Sequence, residues 1–315
     1  MISSTFKILE VNLSSGRSTI RSLPGVATYL GGSGLAAKLH LDYARPDLAW
    51  DDPLQPLIFC AGPLTGYFPL MSKTVCAFTS PRHAQYAESH AGGRSALALR
   101  FAGVDALFII GRSERPMVLH LGANVIEFMD AGYLWGKDAL STGKLLRRIL
   151  KGSGHRTIMR IGPAGENKSA MACINVDTYR HFGRLGSGAV MGAKNVKAIA
   201  IEGNGSLDLP EGKDYGALYA EIFRKVTDTD MMRKYHNLGT ASNLEALNEL
   251  KALPWRNLQA TSDPGIAGIT GERFADDTLL RNAACAGCPV GCIHIGFVRE
   301  KFMEPNQYLY RQVSY

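Results

Sequence analysis

The chain has 315 residues, 46% hydrophobic and 20% charged, enough apolar material for one large or two ordinary globular domains and too much for disorder, collagen or a coiled coil. Thirty-five Lys and Arg against 28 Asp and Glu leave a net charge of +7, which suits anionic cofactors or acidic partners without requiring nucleic acid. No apolar run reaches about 18 residues, so no spanning helix is expected, and the start MISSTFKILEVNLSSGR has neither signal-peptide nor transit-segment character, so a cytoplasmic location is expected.

The first expected element is a hairpin, with FKILEVNL (6–13) and STIRSL (18–23) alternating around a Ser14–Arg17 turn. Further strands are expected at LIFCA (57–61), TVCAFT (74–79), ALFII (106–110), TIMRI (157–161), SAMACIN (169–175) and VKAIAI (196–201). MVLHL (117–121) and VIEFM (125–129) read as a second hairpin through Gly122-Ala123-Asn124. Helices are few here: 34–42, 94–102, 139–150 and 185–193. Many strands, two hairpins and scattered helices predict an α+β fold with mixed sheets rather than a doubly wound parallel sheet. The polar stretch from Gly203 to Pro210 predicts a domain boundary, placed so that 1–207 form one domain and 208–315 begin a helical one. In that second part, 215–226 and 240–253 place apolar residues at spacings of three and four, with Pro254 closing the second helix.

Three segments place glycines ahead of a helix: Gly31-Gly32-Ser33-Gly34, Ala91-Gly92-Gly93-Arg94, and Gly183-Arg184-Leu185-Gly186-Ser187-Gly188 running on to Gly192. Bare backbone N–H groups at a helix start cradle anions, and glycine lets a ligand come close. Tight turns and close helix packing explain any one of them equally well. Three in one domain, with Arg94, Arg180, His181 and Arg184 beside them, favour an anionic ligand. The first loop fails the dinucleotide test, since no convincing strand precedes it and no acid ends the next strand. Ser141-Thr142-Gly143-Lys144-Leu145 resembles the tail of a phosphate-binding loop but lacks its first glycine.

Cys60, Cys76 and Cys173 lie in apolar stretches and read as small buried hydrophobes. Cys285-Ala286-Gly287-Cys288-Pro289-Val290-Gly291-Cys292 reads instead as metal chemistry, with two glycines and a proline shaping a turn that aims thiolates at one point. An Fe–S cluster is the first reading. Zinc is the second, with His294 completing a Cys3His set, since no second CxxC pair is present.

Taken in order, GPLTG (62–66), SHAGGRSALALRFAGVDALFIIGRS (89–113), LWGK (134–137), IGPAGEN (161–167), the run from Arg180 to Gly203 and CxxCPxGC (285–292) resemble the tungsten-containing aldehyde ferredoxin oxidoreductase family. The resemblance implies two pyranopterins holding one tungsten, or molybdenum in its place, with a [4Fe-4S] cluster near by. It implies that residues 1–207 form the base on which the bis-pterin lies. His90, Ala91, Gly92 and Gly93, and Arg180, His181 and Gly183, match pterin-contacting stretches. Cys285, Cys288 and Cys292 match three of four cluster ligands. The implied reaction converts an aldehyde to a carboxylic acid, with electrons passed through the cluster to ferredoxin or a similar carrier. Carboxylate reduction, and a homo-oligomer or partner subunit, are compatible with it.

Three departures stand out. Lys73 occupies the position of an arginine that bridges pterin and cluster in such enzymes; it keeps the charge and loses the bidentate fork. His90 replaces an asparagine. The resemblance places the fourth cluster cysteine and the acid and histidine residues of the substrate pocket C-terminal to residue 315, so the chain is expected to be part of a longer protein and no catalytic residue is assigned in it. The competing expectations are a shortened pterin- or cluster-binding subunit without catalysis, and a zinc-stabilised binding protein.

Overall fold

A computed structural model describes residues 3–122, 125–150, 152–301 and 308–314. The chain divides into two compact units, residues 1–212 and 213–315.

The first unit begins with β1 (Thr5–Asn12) and β2 (Arg17–Pro24), then α1 (Val26–Tyr29) and α2 (Gly32–Tyr43). β3 (Leu57–Ala61), β4 (Thr74–Thr79), β5 (Tyr86–Ala91), α3 (Ser95–Phe101) and β6 (Ala106–Ile110) complete a six-stranded sheet ordered β2-β1-β6-β3-β4-β5. Only β1 and β6 run parallel in it. Next come β7 (Met117–Leu121), β8 (Ile126–Asp130), α4 (Ala139–Ile149), β9 (His155–Arg160), α5 (Pro163–Glu166), β10 (Ile174–Val176), β11 (Arg180–Phe182), α6 (Ser187–Ala193) and β12 (Val196–Gly203). Their strands form a second six-stranded sheet, ordered β11-β10-β9-β12-β7-β8, in which only β12 and β7 are parallel. The α+β expectation with mixed sheets holds.

Strand alternation explains the layering, since neighbouring residues face opposite sides of a sheet. Leu57 and Phe59, Cys76 and Phe78, and Leu107 and Ile109 share one core with Leu119, Met159, Ile199 and Ile201 of the second sheet. The intervening Ile58, Cys60, Val75, Ala77 and Phe108 join Leu35 and Leu39 of α2 on the outer face. Val118, Ile158, Ala198 and Ala200 meet Leu146 of α4 beyond the second sheet. Sheets covered on both faces need strands apolar throughout, and β3, β4 and β12 are buried along their whole length.

Several expectations are corrected. Strand β5 carries no apolar run, because YAESHA buries only alternate residues at the sheet edge. The three-residue β11 was also missed. The strand expected at 169–175 shrinks to β10, since Ser169–Ala172 close a turn. Cys60 and Cys76 are buried as expected, whereas Cys173 is only half-buried. The second hairpin exists, but Ala123 and Asn124 of its turn lie outside the described residues. Residues 141–145 lie inside α4, where Gly143 lets the helix rest on the fully buried Arg160 guanidinium.

The second unit contains α7 (Lys213–Thr227), α8 (Asp230–Asn237), α9 (Leu244–Glu249) and α10 (Gly271–Thr278). α8 was not foreseen. The helix expected over 240–253 is reduced to α9; a single turn precedes it, and Lys251 at φ 54 ends it ahead of Pro254. The unit also holds a three-stranded antiparallel sheet of β13 (Leu279–Ala283), β14 (Ile293–Lys301) and β15 (Tyr308–Ser314). The cysteine segment is the connection between β13 and β14 rather than a helical region. Among the described residues no helix is long and apolar enough to cross a membrane.

Candidate functional site

In the first unit, several strand and helix ends meet at one end of the first sheet. Ala61, the last residue of β3, pairs with Thr74, the first of β4, and Thr74 also pairs with Ala91, the last of β5. Gly62, Lys73 and Gly92 therefore leave the sheet together. The Thr74 and Ser95 hydroxyls, 2.7 Å apart, tie this end to the start of α3. A cleft of about 460 Å3 opens here, lined by Gly31 and Gly32 at the start of α2, Gly62 to Thr65, and Leu70 to Lys73, with Leu30 on its wall. Lys73 is exposed.

Glycine has different causes around this cleft. Gly34 is demanded by packing, because an added Cβ would stand 2.2 Å from the Tyr29 carbonyl oxygen. Gly31 has φ 98 and would meet the Pro63 ring at 2.9 Å. At Gly62 the φ is ordinary and an added Cβ would meet only the Thr65 hydroxyl, at 3.8 Å. Nothing in the fold asks for glycine there, whereas the close approach of a ligand would.

The second predicted segment adjoins. The Ser33 hydroxyl, in the first glycine loop, donates to Glu88 Oε1 at 3.1 Å, and Glu88 accepts from His90 Nε2 at 3.0 Å and from the Tyr86 hydroxyl at 2.9 Å. Burial alone would raise the Glu88 carboxyl, but the hydrogen bonds from His90, Tyr86 and Ser33 outweigh it and hold the group below the usual carboxylate range. An ionised Glu88 only accepts, so His90 Nε2 carries a proton. Gly93, at φ 99, packs on Val176, Asp177 and Arg180, and the Arg94 amide donates to Asp177 at 3.2 Å. The Arg184 amide donates to the Ser89 hydroxyl at 3.4 Å. The fold thus brings His90 to Gly93 beside Arg180 to Arg184, with His181 and Gly183 exposed. Glu88 and the apolar wall of Leu30 and Leu70 had no signal in the sequence.

The third glycine run behaves differently. Gly186, Gly188 and Gly192 serve packing, since added Cβ atoms would meet Pro81 at 2.3 Å, the Cys173 carbonyl oxygen at 2.6 Å and the Gly165 carbonyl oxygen at 2.0 Å. α6 is buried along its whole length, so it offers no cradle.

In the second unit, the Cys288 amide donates to the Cys285 carbonyl oxygen at 3.1 Å, and Gly287 and Gly291 take φ 70 and 63 to turn the chain. All three thiols are half-buried. Burial pushes the Cys288 thiol up; the Val290 and Gly291 amides oppose this by donating toward the sulfur, and the neighbouring Cys285 and Cys292 raise it further. Among the described residues no set of three His, Cys, Asp or Glu converges on a single ion. Cysteines of a cluster need not do so, because each binds a different iron. His294 does not complete the set: its Nε2 donates to the carbonyl oxygens of His236 at 2.9 Å and Asn237 at 3.2 Å.

Comparison with known proteins gives a consistent result. A family model described as "Aldehyde ferredoxin oxidoreductase, N-terminal domain" matches residues 8–203, and one described as "Aldehyde ferredoxin oxidoreductase, domains 2 & 3" matches 217–313. The chain is 34% identical over 296 residues to a tungsten-containing aldehyde ferredoxin oxidoreductase of Pyrococcus furiosus, covering 91% of this chain and 48% of the relative. It is 30% identical over 290 residues to the WOR-like subunit of an aliphatic sulfonate oxidoreductase of the same organism, covering 86% and 45%. A solved structure, the active site complex BamBC of benzoyl coenzyme A reductase with 1,5-dienoyl-CoA, matches with TM-score 0.77 and 26% identity over 98% of this chain and 49% of that one. The chain spans about half the length of the curated relatives it matches.

Proposed function

Because the chain belongs to the aldehyde ferredoxin oxidoreductase family, we propose that it supplies the cofactor-holding portion of a tungsten oxidoreductase that converts an aldehyde to a carboxylic acid. The observation that supports this best is the convergence of Gly31, Gly32, Gly62 and Lys73 around a cleft at one sheet end, where Gly92 also leaves the sheet. The cleft fits a large anionic pterin: its glycines leave backbone bare, Gly62 without any packing reason, and Lys73 supplies positive charge at the rim. The cysteine loop fits an iron–sulfur cluster, with three thiols in one turn and backbone amides aimed at the Cys288 sulfur.

When bound, the tungsten pterin would supply two-electron redox chemistry and the [4Fe-4S] cluster one-electron transfer to a ferredoxin-like carrier. The chain's own residues bind and orient. Lys73 offsets phosphate or dithiolene charge as a point cation without the fork of an arginine. Glu88 fixes the ring of His90 beside Gly92 and Gly93. Arg180, His181 and Gly183 close the same end from the second sheet, and Cys285, Cys288 and Cys292 hold iron. The sulfonate oxidoreductase subunit and the BamBC complex are named for different substrates, so the aldehyde is the part of this reading that substrate assays decide.

Metal and pterin analysis of anaerobically purified protein tests the reading. Tungsten, pterin and iron are expected together; one zinc per chain with none of these would refute it. Cys288→Ser is expected to remove most of the iron and the visible absorption, and an unchanged spectrum would contradict the ligand assignment. Gly62→Ala is expected to leave the unfolding midpoint nearly unchanged while weakening pterin retention by about 1 kcal/mol, or roughly fivefold. Equal loss of stability and of pterin would show that Gly62 serves packing instead.

A further inference from the structure

The C-terminal end of α8 is tied to the cysteine loop at three places. His236 Nδ1 lies 2.7 Å from the Val290 carbonyl oxygen, within the loop. A carbonyl only accepts, so Nδ1 carries the proton and donates it. The backbone oxygen of His236 accepts from Asn282 Nδ2 at 2.6 Å, on the strand that enters the loop, and from His294 Nε2 at 2.9 Å, on the strand that leaves it. The last carbonyls of a helix have no partner within the helix; here they anchor both flanks of the loop. An added Cβ on Gly291 would stand 3.2 Å from His236 Nδ1, so the ring is seated on the backbone next to Cys292.

We infer that His236 is a positioning residue that holds the Cys285–Cys292 turn in its ligating conformation before iron arrives. The inference rests on the reading of these cysteines as cluster ligands. Ordering a loop on binding costs backbone freedom, and a loop already held by its neighbours avoids most of that cost. His236 reaches the loop between Cys288 and Cys292, while Asn282 and His294 secure its ends.

The test uses the full chain, reduced and metal-free, with His236→Leu and His236→Asn; the asparagine amide keeps a donor for Val290. Hydrogen exchange followed by mass spectrometry reads the peptide spanning 285–292. In His236→Leu that peptide is expected to exchange about tenfold faster, the effect of losing one hydrogen bond, with peptides of β3 and β12 unchanged. Reconstitution with ferric iron, sulfide and excess dithiothreitol, which reduces half of the iron to ferrous and serves as an exchangeable fourth ligand, is expected to slow by a similar factor. His236→Asn is expected to stay within about twofold of wild type in both readouts. If His236→Leu unfolds the second unit, Asn282→Ala at the loop entrance is expected to loosen the same peptide about threefold. Unchanged exchange in the variants, with normal iron uptake by wild type, overturns the role of His236 alone. Wild-type chain that takes up no iron, with Cys288→Ser indistinguishable from it, overturns the cluster reading and the inference with it.

Discussion

Gly192→Ala is expected to destabilise the first unit by about 3 kcal/mol, against a typical domain stability of about 5–15 kcal/mol. In an exposed helix the same change stabilises by about 1 kcal/mol, because alanine loses less backbone entropy. The sign reverses here because α5 and α6 touch through their backbones. An added Cβ on Gly192 would lie 2.0 Å from the Gly165 carbonyl oxygen and 2.7 Å from its carbon. Gly165 cannot yield, since a Cβ of its own would meet Ile161 at 2.8 Å and the Gly188 carbonyl oxygen at 2.9 Å. Gly216→Ala in α7 is the control: nothing lies within 4 Å of the added carbon, so that variant is expected to be unchanged or slightly more stable. Urea unfolding followed by circular dichroism checks both. A Gly192→Ala midpoint equal to wild type would refute the interlock.

The second large effect concerns Lys194. It is 2% exposed, and its Nζ donates to the carbonyl oxygens of Pro53 at 3.2 Å and Gly111 at 3.1 Å. Burial first, then the charge of Arg112, lower its pKa from 10.5 to about 7, with Asp52 pulling weakly the other way. Between those two values the unfolded chain binds a proton that the folded chain does not, so stability rises with pH. The useful window is pH 7 to about 8.5, below the ionisation of thiols in the unfolded chain. There the wild type is expected to gain about 1.5 kcal/mol relative to Lys194→Met, whose profile lacks this contribution. Unfolding measured in buffers across that window decides it, and parallel profiles for the two proteins would rule out a neutral buried Lys194.

Much of the first unit was legible because its strands are short, apolar and bounded by glycine or proline. β3, β4, β6, β7 and β12 stand where short apolar runs put them. β5 was hidden because at a sheet edge only every second side chain is buried, so YAESHA reads as polar. The three glycine loops looked alike in sequence and differ in the fold. The first two border the candidate site, as does Gly183 at the start of the third, whereas Gly186, Gly188 and Gly192 serve the packing of α6. Local sequence cannot separate these cases, because what a glycine must avoid often belongs to a segment distant in the chain: Pro63 for Gly31, Gly165 for Gly192.

The second unit shows the same division. Cys285, Cys288 and Cys292 read as metal ligands from their spacing, since a thiolate turn needs only local residues. His294 was a plausible fourth ligand by proximity in sequence. The fold turns it to the end of α8 instead, where two carbonyls without helical partners accept from it. His236, far from the loop in sequence, becomes its neighbour. Residue chemistry and local periodicity were therefore sufficient to define the α+β class and the cysteine motif, and the order of the motifs along the chain carried the resemblance to the family. Which glycines are demanded by packing, which cations are buried and which histidine touches the cysteine loop were decided by tertiary packing, because each depends on atoms that approach only when separate segments of the chain are folded together.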